Sequence, residues 1–334
     1  MKTKKFTMLH VAIVALLFSG LTFLLISISK SSESQTSSEP VSYSCKYNVK
    51  RLDGFAFIKP LVFVDEDCQS EEFDGVRRQL AAVADRYAKS GDVSTVSLYM
   101  RANNQWIGVN EDQKYVPGSL LKVPLLIAVL KIGEDHPGFL NKQIKYENAF
   151  PAIRFVNFPA SKTIKPGNSY SVAQLLEYAI KYSDNNASNL LEMSIDLKEF
   201  QKVFTAVGLD APNIYAPNTT LNPKEYSLFM RAIYNAGYLS TKDSEYAAKL
   251  LSECQFNEGL TQGLPAGTKI IHKFGESGND GEIQLHESAI IYLKHSSFLL
   301  TVMSKGKDYK KLSALLGELS RTAYEEMSNL ETSS

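Results

Sequence analysis

The chain has 334 residues, 44% of them apolar, and its 36 basic residues are balanced by 36 acidic ones. That length can bury a sizeable core as one large or two small domains. A net charge of zero provides no global field for nucleic acid or an acidic surface, so no nucleic-acid partner is expected.

The amino terminus differs from the rest. "MKTKK" precedes an uncharged apolar run over residues 6–28. At about 1.5 Å per residue, this run is long enough to cross a hydrocarbon core of about 30 Å. We expect a cytoplasmic tail over residues 1–5 and a transmembrane signal anchor over 6–29, with the leading lysines on the cytoplasmic side. A cleaved signal peptide is the competing reading, although "LLISISKSSES" offers serines where an A-x-A-like site would stand. Either reading exports the remainder. The expected location is the cell membrane with the folded part outside, or secretion if the segment is cleaved.

Residues 30–44 read as a Ser-rich linker. Residues 45–69 form a segment flanked by Cys45 and Cys68, and an exported chain tolerates a disulfide between them. Cys254 is then left over and is expected as a buried thiol. No C-x-x-C occurs, the five histidines are scattered, and "HESAI" at His286 lacks the second histidine of a zinc-protease helix. Neither a metal site nor a cofactor is expected.

The globular pattern runs over residues 70–330. Phe73, Val76, Leu80, Val83 and Tyr87 recur at helical spacing up to Gly91. "STVSLYMRA" alternates Val96, Leu98 and Met100 against polar neighbours and predicts a strand. "NN" turns the chain into a paired strand, "QWIGVN". In "VPGSLLKVPLLIAVLK", Pro117 and Gly118 break the chain and a helix begins at about Ser119, with Pro124 in its early turns. Ser171 and Gln174 form a capping box ahead of Leu175, Leu176, Ala179 and Ile180. "YSDNN" interrupts, and a second helix carries Leu190 and Leu191. "NPKEYSLFMRAIYNAGYL" predicts a further helix. The carboxyl-terminal third returns to strands, "IIHKFGESG" and then a hairpin of "SAIIYL" and "SFLLTVM". A last helix places Leu312, Leu315, Leu316 and Leu319 on one face. This order predicts an α+β fold in which an antiparallel sheet from both chain ends is flanked by helices and interrupted by an inserted all-helical region.

Ser119 and Lys122 stand three residues apart at a helix start. That spacing brings a hydroxyl and an amine together, and the helix amino terminus favours negative charge on the serine oxygen. A lysine acts as base only when neutral, which burial and a second nearby cation promote. Ser-x-x-Lys alone also occurs at Ser27/Lys30 and Ser304/Lys307, where nothing marks it as a site. Two further pieces distinguish Ser119. Ser183-Asp184-Asn185 sits between two predicted helices, and Lys273-x-Gly275 sits on a predicted strand before the final hairpin.

Ser-x-x-Lys, Ser-Asp-Asn and Lys-x-Gly in this order resemble the motif set of the penicillin-recognising serine enzymes, the class A β-lactamases and penicillin-binding proteins. The resemblance spans residues from about 70 to the last helix and implies their fold. It also implies roles. Ser119 would be the nucleophile, Lys122 its base, and Ser183 a proton donor to the leaving nitrogen. Lys273 would supply positive charge. Asn185, Gly275 and Glu276 would bind substrate, with the backbone N–H groups of Ser119 and Glu276 as oxyanion donors. The implied partner is a β-lactam or a peptidoglycan peptide, and the implied activity is a β-lactamase-like serine hydrolase. A D,D-peptidase or a non-catalytic wall-binding sensor of the same fold are the alternatives.

Two departures stand out. The deacylating glutamate of class A enzymes belongs to an E-x-x-L-N string, and the nearest match here is "NTTLN", with Asn218 in its place. On a second alignment, most of the loop that carries it is missing. Glu192, Glu199 and Glu225 fall on predicted helices or their edges and read as solvated charges. Phe274 stands where the third motif usually has a hydroxyl.

Overall fold

The computed structural model describes residues 45–151, 156–213, 219–278 and 281–333. The predicted membrane segment over 6–29 lies outside them. Among the described residues, no helix is long and apolar enough to cross a membrane.

The centre of the fold is a five-stranded antiparallel sheet. Its strands are β3 (Val93–Ala102), β4 (Gln105–Val109), β7 (Ile270–Gly278), β8 (Ile283–Tyr292) and β9 (Ser297–Gly306), ordered β4-β3-β9-β8-β7. Both chain ends therefore supply strands, as the sequence predicts. The β3–β4 turn uses Asn103 at a positive φ of 52°, which asparagine tolerates better than most residues.

Alternation along the strands serves two cores rather than one core and solvent. On β3, Val96, Leu98 and Met100 join one apolar cluster while Tyr99 joins the other. On β9, Leu300 and Val302 face one side, and Leu299 and Met303 the other. The first side is covered by α1 (Asp74–Lys89) and α8 (Tyr309–Ser333). Leu80 of α1 and Leu312, Leu315, Leu316 and Leu319 of α8 are fully buried there, at the spacing of one helix face. Because both sides are covered, Ser97 and Arg101 of β3 are buried too, and Ser97 bonds the Tyr115 hydroxyl at 2.8 Å.

The second side carries the inserted region. Its helices are α2 (Lys122–Asp135), α3 (Val172–Lys181), α4 (Asn185–Glu192), α5 (Leu197–Val207), α6 (Pro223–Tyr234) and α7 (Thr241–Ser252). The capping box of Ser171 and Gln174 opens α3 as expected, and a second one, Asn222 with Glu225, opens α6 behind Pro223. The region is not wholly helical. Two short strands, β5 (Gln143–Lys145) and β6 (Ser169–Ser171), pair in it, and three-residue strands leave no periodicity to read.

The Cys-flanked segment folds as a hairpin of β1 (Tyr47–Arg51) and β2 (Leu61–Glu66). Val62 and Phe63 enter the core, and Asp65 forms ion pairs with two buried arginines, Arg231 at 2.8 Å and Arg101 at 3.2 Å. The hairpin thus packs as part of the domain. Cys45 and Cys68 are both disulfide-bonded, and Cys254 is a buried free thiol.

Leu316 lies between the sheet and α1, where shortening it leaves a void. Leu316→Ala is expected to lower unfolding stability by about 2–5 kcal/mol, read from the urea denaturation midpoint at an unchanged slope.

Candidate active site

The chain reaches Ser119 through a 3-10 helical turn, Gly118–Leu121, and α2 begins only at Lys122. The expected single helix from Ser119 is therefore replaced by a tighter start. Residues three apart eclipse one another in a 3-10 turn, so the Lys122 ammonium lies directly beside the serine. Lys122 Nζ donates to Ser119 Oγ at 3.0 Å. Pro124 falls in the first turn of α2, where its missing N–H would have had no intrahelical partner, so it need not bend the helix.

The same ammonium is held from the opposite side by the connection between α3 and α4. It donates to Ser183 O at 2.7 Å, to Ser183 Oγ at 3.2 Å and to Asn185 Oδ1 at 2.7 Å. Ser183 adopts a positive φ of 56°, a conformation that costs a non-glycine residue about 1–3 kcal/mol. Asp184 holds the backbone there. Its buried carboxylate caps α4 through the Asn186 N–H at 3.0 Å. It also accepts from the Ile164 N–H and the Thr163 hydroxyl, each at 2.8 Å. The capping task thus falls to Asp184, which frees Ser183 and Asn185 to face Lys122.

The third motif arrives on β7. Lys273 is fully buried, and its Nζ donates to Ser183 Oγ at 2.9 Å and to Phe274 O at 3.0 Å. One hydroxyl therefore receives both lysines. Two glycines bring β7 against the 3-10 turn. A methyl group on Gly118 would sit 2.1 Å from Glu276 O, and one on Gly275 would sit 2.2 Å from Pro117 O. Gly118 also has φ of 54°, so its lack of a side chain is required twice. This contact places the backbones of Ser119 and Glu276 side by side. His286, fully buried, fixes the approach by bonding Val116 O through Nε2 at 3.1 Å. Burial holds its imidazole down to about 3, so the ring stays neutral.

Ser119, Lys122, Ser183, Asn185, Phe274 and Glu276 line a cleft of about 560 Å³. A larger concavity of about 1050 Å³, between Leu61 and Leu299, contains none of these residues. The Glu276 carboxylate, half-buried, accepts from the backbone N–H groups of Asn157 at 2.9 Å and Phe158 at 3.1 Å. It thereby ties that loop to the cleft wall. Phe158 meets Phe256 edge-on at 5.1 Å, and Phe256 stacks on Phe274 at 4.0 Å between ring centroids. The aromatic wall and the Glu276 strap were not legible from sequence, because their partners are far apart in the chain.

The three glutamates that read as solvated charges part company. Glu225 belongs to a capping box and pairs with Lys114. Glu199 pairs with Lys202 on its own helix at 2.6 Å. Glu192 instead lines the cleft. Asn218 lies outside the described residues.

Burial, reinforced by the charge of Lys273, holds Lys122 well below the ordinary lysine value, with Asp184 and Glu192 opposing. Burial lowers Lys273 to about 8. A lysine with a depressed pKa in the folded state binds fewer protons there than when unfolded. Its contribution to stability therefore rises as pH goes from about 8 to 10.5. Lys273→Met removes the buried charge at similar volume. We expect it to stabilise the fold at pH 7 by on the order of 1–3 kcal/mol. The gain in melting temperature should shrink toward pH 10, and a loss of stability at pH 7 would contradict this account.

A model of the beta-lactamase enzyme family matches residues 75–327. Among solved structures the chain is similar to PBP-A, at 21% identity and a TM-score of 0.65 over 77% of this chain and 97% of that one. It is also similar to a variant of PBP-A solved as an acyl-enzyme complex with penicillin G, at 21% identity and a TM-score of 0.64 over 76% and 97%. A class A β-lactamase from Mycobacterium abscessus aligns at 19% identity and a TM-score of 0.63 over 75% and 99%. At such identities the solved structures speak for the fold alone, whereas the family match covers most of the chain. The chain belongs to the beta-lactamase enzyme family, within the penicillin-recognising serine hydrolases.

Proposed function

We propose that the protein is a hydrolase that forms an acyl-enzyme on Ser119 with β-lactams or D-alanyl peptides. The observation that carries this reading is Lys122 Nζ, which touches Ser119 Oγ on one side and Ser183 Oγ on the other. Neutral Lys122 takes the proton of Ser119 as Oγ attacks the carbonyl carbon. The oxyanion forms against the adjacent backbone N–H groups of Ser119 and Glu276, a type of contact worth about 10²–10³ in rate per donor. Ser183, polarised by Lys273, passes its proton to the nitrogen as the C–N bond breaks and takes in its place the proton that Lys122 received from Ser119, which leaves Lys122 neutral again. Asn185 orients Lys122 and the substrate amide.

Phe274 bears on the substrate. An aromatic wall replaces a hydroxyl that would otherwise anchor a carboxylate, and the Lys273 ammonium is engaged with Ser183 and Phe274 O. This favours substrates with apolar bulk beside the reacting amide. The uncharged run over residues 6–28 and the disulfide-bonded Cys45 and Cys68 support a membrane-tethered domain outside the cytoplasm.

Incubation with penicillin G, followed by intact mass, tests the reading. The parent chain gains the mass of the drug on Ser119, Ser119→Ala gains none, and Ser183→Ala gains it at least about 10²-fold more slowly. An adduct that persists in Ser119→Ala would refute it. The pH profile of acylation carries a second check. The rate rises as Lys122 loses its proton and falls as Lys273 loses its own near 8. A rate that climbs steadily past pH 9 would exclude a charged Lys273 from the step.

A further inference from the structure

We propose that Glu192 is the general base that hydrolyses the acyl-enzyme, taking the proton of the attacking water from α4. This rests on the Ser119 acylation reading and supplies the step that reading leaves open. A hydrolase of this chemistry needs a group to activate water, and neither Glu199 nor Glu225 faces the cleft.

Asn185, Asn189 and Glu192 stand at i, i+4 and i+7 of α4, which places them on one helix face. All three line the cleft that holds Ser119 and Lys122. Asn185 Oδ1 accepts from Lys122 Nζ at 2.7 Å, so this face of α4 is the one turned toward the ammonium. The two charges interact, since Lys122 holds the Glu192 carboxyl down while Glu192 holds the Lys122 ammonium up. Glu192 nevertheless titrates above the ordinary carboxylate value because partial burial in the cleft disfavours its charged form. It is also the last residue of α4, at the end that carries the negative pole of the helix. Both effects make it a stronger base. The residue as a whole is solvent-exposed, so water reaches it.

The Glu192 carboxylate removes one proton from water as the water oxygen bonds the acyl carbon. The tetrahedral adduct collapses and the bond from carbon to Ser119 Oγ breaks. The proton held by Glu192 returns to Oγ through Lys122. The product is the free acid, and Ser119, Lys122 and Glu192 end in their starting protonation states.

The test is a quenched intact-mass time course with penicillin G on the full chain, comparing the parent with Glu192→Gln. The glutamine keeps the shape of the side chain and cannot accept the proton. We expect the variant to acquire the adduct at least as fast as the parent, since losing the Glu192 charge favours neutral Lys122, and to lose it about 10²-fold or more slowly. Glu192→Ala should show the same split between formation and decay. An adduct that decays alike in parent and variants overturns the assignment of Glu192 alone. The absence of any adduct on the parent overturns the acylation reading, and the Glu192 step with it.

Discussion

One serine hydroxyl shared by two buried lysines sets the chemistry of this fold. Lys122 and Lys273 both donate to Ser183 Oγ, at 3.2 and 2.9 Å. Neither ammonium has a carboxylate within ion-pair distance in the described residues, and each is almost wholly out of water. Burying charge without a close counter-ion is costly. The cost falls when a proton leaves, and this is the direction in which both groups are pushed. The same arrangement that strains the fold thus favours the neutral form of the amine beside Ser119. Stability and reactivity oppose each other at these positions, as expected where a buried group must change its charge.

The constraint reaches outward through backbone rather than side chains. The pair forms only if β7 lies against the 3-10 turn, and the glycines at 118 and 275 permit that approach. The turn is in turn anchored on α2, whose residues Val123 to Leu130 are all buried in the helical block. The α3–α4 connection is held by the three bonds to Asp184. A sheet closed by strands from both chain ends and a helical block inserted between them are what bring residues 119, 183 and 273 to one point. The two apolar cores on the sheet faces keep β7 from moving away.

The sequence was most legible where a motif is local and its chemistry narrow. Ser119 with Lys122, Ser183 with Asn185, and Lys273 with Gly275 all converge in space, and β7 spans the stretch expected for it. It was less legible where the outcome depends on packing. The alternation of β3 reads as one buried and one solvated face, yet helices on both sides bury Ser97 and Tyr99. The helix expected from Ser119 begins as a 3-10 turn, a difference of hydrogen-bond register that composition does not encode. Glu192, Glu199 and Glu225 look alike as isolated charges on helices. Only the placement of α4 against the cleft separates the first from the others. The residues of the aromatic wall, Phe158, Phe256 and Phe274, come from three separate stretches, so no local pattern could reveal them.

Glu192 and Phe274 line the same cleft, and in the proposed reaction they bear on different steps. On the side of α4, the proposed role of Glu192 would place the general base on the helix itself and make that step independent of a long loop. On the side of β7, Phe274 stacks into a wall that the Glu276 carboxylate buttresses by holding the backbone of Asn157 and Phe158. Glu276 therefore has two separable parts. Its backbone faces the site of the proposed oxyanion, and its side chain sets the position of the loop that closes the wall. Burial raises the Glu276 carboxyl, with the two N–H donors opposing. Protonation at lower pH would weaken those charge-assisted bonds and loosen the wall, and it would also remove a carboxylate charge that interacts with Lys122. On the proposed reaction, substrate fit would fall to the Phe274 wall and bond cleavage to Ser119, Lys122 and Ser183, so that the reacting atoms and the shape of the cleft beside the amide are set by different groups.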